Sequence, residues 1–108
     1  MLTLDDFKRI DFRVGEVVAA EPVQGARRLL KVTVDLGHER RTLVGSLAQS
    51  YTPEELHSLQ VVVMMNLEPA MIRGVVSEGM MLGVGCERPG EVALLTVHRR
   101  VANGTAVQ

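Results

Sequence analysis

Between Leu30 and Leu36 the chain alternates strictly: Leu30, Val32, Val34 and Leu36 are apolar, and Lys31, Thr33 and Asp35 between them are not. A period of two puts successive side chains on opposite faces, so this stretch reads as a strand with one dry face and one wet face. Such a strand cannot stand alone. Its backbone donors and acceptors need partners, and its dry face needs a core. Gly37-His38 then makes a tight turn, and Arg41 to Ser46 returns as the antiparallel partner. The chain is thereby committed to a β-sheet built outward from a hairpin.

Further short strands extend it. Residues 12–18 alternate Phe12 and Val14 with Arg13 and Gly15, the internal glycine signals a bulge or a close backbone approach, and Pro22 and Gly25 end the run. Val61 to Leu67 is a near-continuous apolar run whose one polar member is Asn66, and it reads as a buried central strand. Met80 to Val84 and Val92 to Val97 read as two more strands around an Arg88-Pro89-Gly90 turn, with Asn103-Gly104 as the last turn. Helix is confined to single turns. Thr3 with Asp6 opens one that contains Phe7 and Ile10, and Thr52-Pro53-Glu54-Glu55 opens another, each with a capping-box pattern. The stretch from Pro69 to Gly79 shows no period and reads as an irregular connector. Short strands with so little helix make a small all-β barrel.

The 108 residues, 46% hydrophobic and 23% charged, suit one globular domain over residues 1–108. No apolar run reaches the roughly 18 to 20 residues of a membrane span, and the opening MLTLDDFKRI carries acids where a signal peptide is apolar, so the expected location is the cytoplasm. Cys86 is the only cysteine and forms no intrachain disulfide; a lone thiol of this kind is expected to be buried and inert. His38, His57 and His98 lie apart from any Cys or carboxylate at metal-ligand spacing, and there is neither a nucleophile elbow nor a phosphate-cradling glycine loop. The paired acids Asp5-Asp6 and Glu54-Glu55 sit at helix starts, where the dipole favours them. Catalysis, a metal and a cofactor are therefore not expected.

Cations gather around one hairpin: Arg27, Arg28 and Lys31 before and within its first strand, Arg40 and Arg41 after its turn. The formal charge of −1 and a pI near 6.3 lack the basic excess of most nucleic-acid-binding domains, but local clustering decides, because a patch can hide within a neutral sum. The plain alternative is a solvated charged face. Phe7, Phe12 and Tyr51 are the only aromatics, too few for a stacking platform. An RNA bound here would be read as a folded shape, through phosphates, 2′-hydroxyls and one or two exposed bases. Six methionines and the apolar surplus of residues 61–84 exceed what one small barrel buries, which points to a homodimer.

Asp11-Phe12-Arg13-Val14-Gly15, the run from Gly25 to Gly37, Asn66-Leu67-Glu68-Pro69 and Gly74-Val75-Val76-Ser77-Glu78-Gly79-Met80 occur in that order. Together they resemble the tRNA-binding domain found in and alongside methionyl-tRNA synthetases. The resemblance implies an OB-fold, a Greek-key barrel with short helices and a C-terminal extension. It further implies homodimers and the outer corner of folded tRNA as ligand, and it leaves an aminoacyl-tRNA synthetase open as a partner. It carries phosphate contacts to Arg28 and Lys31 and groove-lining roles to Asn66, Ser77 and Met80. Ser77 would bond a 2′-hydroxyl or phosphate, and Met80 would pack on a base or sugar, with core filling as its alternative.

Three positions depart from the family pattern. Gly45-Ser46 stands for Ser-Gly, Arg27 stands for the acid before Arg28, and Met71 stands for a lysine, leaving Arg27 and Arg73 to supply charge nearby. The related CsaA-like export chaperones, which bind unfolded polypeptide, share the barrel and the dimer. The Ser77-to-Met80 element and the Leu29-Leu30-Lys31 run favour RNA. A third reading is an oligomerisation partner of a synthetase or another enzyme, with RNA binding lost.

Overall fold

Leu30, Val32 and Val34 are fully buried while Lys31, Thr33 and Asp35 between them keep part of their exposure, so the alternation sets the faces of strand β2 (Ala26–Asp35). In the computed structural model, which describes residues 1–108, β2 lies antiparallel between β1 (Phe12–Val23) and β3 (Arg40–Gly45). β4 (Gln60–Met64) pairs with the other edge of β1, from Phe12 opposite Met64 to Glu16 opposite Gln60. The resulting spatial order 4-1-2-3 is a Greek key. After β4 the chain makes a separate hairpin of β5 (Ala70–Ile72) and β6 (Val75–Ser77), then joins the sheet beside β4 as β7 (Met80–Met81). β8 (Gly83–Gly85) and β9 (Val92–Leu94) form a last small hairpin. Helices α1 (Leu4–Lys8) and α2 (Pro53–Leu56) both open on the capping boxes read from the sequence, at Thr3/Asp6 and Thr52/Glu55. The architecture is small and all-β, and its core is one cluster of eleven buried side chains from β1 to β4 and their links, among them Val17, Val32, Leu43, Leu56 and Val63.

Several elements differ from the sequence reading, each for a local reason. β1 runs past the expected end to Val23, because Pro22 sits at a step in the β1–β2 ladder where register is lost. Gly15 does mark a close approach: a Cβ there would collide with the side chains of Val34 and Leu36. The run after Val61 leaves the sheet at Met64, since the Asn66 amide bonds backbone groups near α1 instead of continuing the ladder. Residues 70–77 are a hairpin, turned by Arg73 (φ 50°) and Gly74 (φ 82°), both in the left-handed region that two-residue hairpin turns require. The expected strand from Met80 to Val84 splits at Leu82, its first half pairing with β4 and its second with β9. The last strand stops at Leu94 rather than Val97. Cys86 is exposed, because it lies on the β8–β9 hairpin, away from the core.

The ladder does not close into a full barrel; β3 and β7 are its edges. Side chains and single backbone bonds cross the gap. Val44 N donates to Ser77 Oγ (3.0 Å), Ser77 Oγ donates to the Gly79 carbonyl (3.1 Å), and Glu78 N donates to the Thr42 carbonyl (2.8 Å). The Arg41 guanidinium adds bonds to the carbonyls of Met65 (2.7 Å) and Glu78 (3.1 Å).

A second set of bonds holds the C-terminal extension. The buried Gln60 amide donates to the Val101 carbonyl (2.7 Å) and Asn103 Oδ1 (2.9 Å) and accepts from Val101 N (3.2 Å). Arg100 pairs with Glu16 at 2.7 Å. Backbone bonds from Val14 N to the Thr105 carbonyl and from Val107 N to the Phe12 carbonyl, both 2.9 Å, then lay the tail along β1.

Two stability changes follow. Gln60→Leu leaves both backbone groups of Val101 without their partner and should cost about 2–3 kcal/mol in urea unfolding, with an unchanged m-value. Ser77→Ala orphans the Val44 N–H and should cost about 1–3 kcal/mol. A loss below about 0.5 kcal/mol in either variant would mean that the bond is not holding its segment.

Candidate nucleic-acid interface

Two adjacent leucines, Leu29 and Leu30, break the period of β2, and the ladder breaks with them. β1 pairs Val23 with Ala26 but Pro22 with Leu30, so Arg27, Arg28 and Leu29 have no partner in β1. β3 reaches only as far as Leu30, opposite Gly45. The three residues bulge outward, and a bulge re-aims side chains that a regular strand would alternate. Arg27 and Arg28 are exposed, while the Arg28 carbonyl is anchored by Ala48 N at 3.1 Å. The ion pairs of the chain are Arg13–Asp11, Lys31–Glu21, Arg41–Glu39, Arg88–Glu91 and Arg100–Glu16, so no acid neutralises Arg27, Arg28 or Arg73.

Beside the bulge an open cleft of about 420 Å³ is lined mainly by apolar groups, among them Leu29, Val44, Ile72, Met80 and Leu94, with Ser46 at its edge. Met80 is 47% exposed and lines the cleft instead of filling the core. Lys31 stands opposite Val44 in the β2–β3 register, with its ammonium 3.5 Å from Glu21, and Arg73 caps the hairpin next to Ile72. The arrangement offers cations that can meet phosphates around an apolar floor that can meet a base or ribose.

Of the residues picked out from the sequence, Met80 lines the cleft, while Arg28, Lys31 and Arg73 do not line it but neighbour the lining residues Leu29, Val44 and Ile72 in chain or register. Ser77 lies under the cleft. It is 3% exposed, and its hydroxyl both accepts from Val44 N and donates to the Gly79 carbonyl, so a bond donated to an RNA phosphate would have to replace the one to Gly79. Asn66 is exposed but lies outside the cleft; its carbonyl oxygen accepts from Asp11 N (2.8 Å) and its amide donates to the Arg9 carbonyl (2.7 Å), fastening α1 to β4. Leu29, Val44 and Ile72 were not picked out. The doubled leucine was the available signal for the first, but which strand faces the β5–β6 hairpin is not written in local sequence. No group of three or more His, Cys, Asp or Glu side chains is placed to hold a metal ion.

Comparison with known proteins shows the family of the chain. Residues 12–106 match the family described as "Putative tRNA binding domain". Methionine-tRNA ligase of Archaeoglobus fulgidus is 42% identical over 106 residues, and that of Clostridium tetani 41% over 107. These stretches are 98% and 99% of this chain but 16% and 17% of the ligases, so the chain spans about one sixth of their length. Among solved structures, the MetRS related protein from Pyrococcus horikoshii superposes with a TM-score of 0.90 at 34% identity, covering 100% of this chain and 98% of that one. The chaperone CsaA from Bacillus anthracis superposes with a TM-score of 0.89 at 29% identity, covering 100% and 99%. With a match over nearly its full length and identities above 40% to ligases of two distant organisms, the chain belongs to the tRNA-binding domain family.

Proposed function

We propose that this chain is a non-catalytic homodimer that binds folded tRNA in trans in the cytoplasm. The observation that carries the reading is an apolar cleft lined by Leu29 and Met80, with Arg28, Lys31 and Arg73 as chain or register neighbours of its lining residues; two of the three have no acid partner. Arg28 and Lys31 make phosphate contacts, Met80 packs on a base or ribose, and Ser77 holds β3 against the segment that leads to Met80, while Asn66 lies outside the cleft. With few rings available, recognition rests on backbone and shape. An aminoacyl-tRNA synthetase is the natural recipient of the bound tRNA. The likeness to a chaperone CsaA is the basis of a second reading, capture of unfolded polypeptide, but a peptide-binding cleft has no need of uncompensated cations on the residues beside it.

The dimer is supported by area. A folded monomer of this mass exposes roughly 5,900 Å², whereas this chain exposes 7348 Å². Part of that excess is apolar and lies on the β8–β9 hairpin and the extension after it, where Val84, Leu95 and Val101 are exposed. These C-terminal segments form much of the seam in our reading.

Titration with unfractionated tRNA at about 50 and 200 mM salt tests the main proposal, with salt-sensitive binding expected. Arg28→Ala should weaken binding to all tRNAs and flatten the salt slope by roughly 0.7–0.9. Lys31→Ala should do so less, because Glu21 already shares its charge. Absence of salt-sensitive binding, or competition by unfolded polypeptide as effective as tRNA, sinks the reading. Light scattering at about ten micromolar should give twice the 11.8 kDa chain mass; a monomer mass removes the dimer.

A further inference from the structure

A second open cleft, about 430 Å³, lies on the other side of the bulge, lined by Pro22, Ala26, Arg27, Tyr51 and Pro53 among others. Leu29 belongs to both clefts and forms the ridge between them. Tyr51 is half-buried, and its hydroxyl accepts from Leu94 N at 3.0 Å, so its ring is held in place by a residue that lines the first cleft. Two prolines and one ring give this second cleft flat apolar walls, and its one charged lining residue is the unpaired Arg27.

We propose, building on the RNA-binding reading above, that the Arg27–Leu29 bulge takes two consecutive unpaired nucleotides, one base in the cleft on each side of Leu29, with the intervening phosphate on Arg28. The repeat of a nucleic acid is a planar group, an anion and a planar group. Along the bulge Arg27 lines the second cleft, Arg28 is exposed and lines neither, and Leu29 lines both, so an exposed guanidinium sits in the chain beside the residue the two clefts share. Flat apolar walls accept any base by stacking, so the site selects unpaired nucleotides and tolerates their sequence. A paired helix cannot enter, because its bases are stacked on one another. A polypeptide carries no obligatory anion between successive side chains, and the two free cations of the bulge favour the nucleic acid.

Two labelled hairpin RNAs test this, identical except that one carries a two-nucleotide bulge. The full chain should bind the bulged hairpin about fivefold or more tightly than the paired one. Ala26→Trp fills the second cleft without removing a charge and should bring the two affinities within about twofold of each other. If tRNA binds but the two hairpins bind equally, or if Ala26→Trp keeps the preference, the inference falls and the tRNA reading stands. If tRNA itself does not bind, the tRNA reading falls and takes the inference with it. An unfolded acidic polypeptide that displaces the bulged hairpin as well as unlabelled RNA does would assign the clefts to peptide. Should Ala26→Trp fail to fold by circular dichroism, ultraviolet cross-linking of wild type to the bulged hairpin decides. Adducts at Tyr51 or within Arg27–Leu29 support the site, and adducts confined to other residues overturn it.

Discussion

A sheet rolled around eleven buried side chains must do something with its two edges, and here the seam between β3 and β7 is closed by a hydroxyl and a handful of single bonds. Ser77 suits the task because one Oγ can accept and donate at once, saturating Val44 N–H and the Gly79 carbonyl at a place where no ladder can form. Arg41 does the same for two carbonyls from the opposite side. Everything outside the seam follows from this closure. The β5–β6 hairpin is pinned against β3, Met80 is brought beside Leu29, and the apolar cleft exists because these elements meet over the join. The polar groups nearest the cleft are thus spent on architecture, and recognition passes to the residues the ladder leaves free.

That division explains what could be read from the sequence. Wherever burial follows a period, as in Leu30 to Leu36, the strand and its faces were legible, and capping at Thr3 and Thr52 was legible because it depends on residues only three positions apart. The stretch from Pro69 to Gly79 was not, because a hairpin of two three-residue strands is too short to show a period, and Arg73 occupies a left-handed turn position where Gly or Asn would have announced the turn. The cations were legible as a cluster, but their partners were not: Arg41 turns inward and Lys31 is shared with Glu21, whereas Arg28 is free. Ser77 and Asn66 read as contact residues in the sequence, and the structure gives each one accepted and one donated internal bond, a role that sequence alone does not show. Cys86 was expected inside by residue type and lies outside because its hairpin is appended to the core.

The extension after β9 has no core of its own. It is held by the Gln60 amide, by Glu16 through Arg100 and Asn103, and by backbone bonds to β1, reaching across about forty to ninety-five residues of sequence. Contacts at such separation are slow to form, because the loop they close must lose its entropy before the bonds are gained. The β1–β2–β3 meander can assemble from nearer neighbours, and the end of the extension docks onto the edge of β1 before Glu16, which β2 leaves uncovered.

The tail also decides how such a unit can travel between proteins. Ala106 bridges to Arg13, Val107 bonds Phe12, and the last residues line a groove with Leu4 and Phe7 of α1, so the beginning and the end of the chain lie side by side. A polypeptide entering before α1 and one leaving after Gln108 would pass through the same small area of surface, leaving the clefts around the Arg27–Leu29 bulge uncrossed. Spliced into or onto a larger host at that area, the domain would keep its fold without threading the host's chain across its working face.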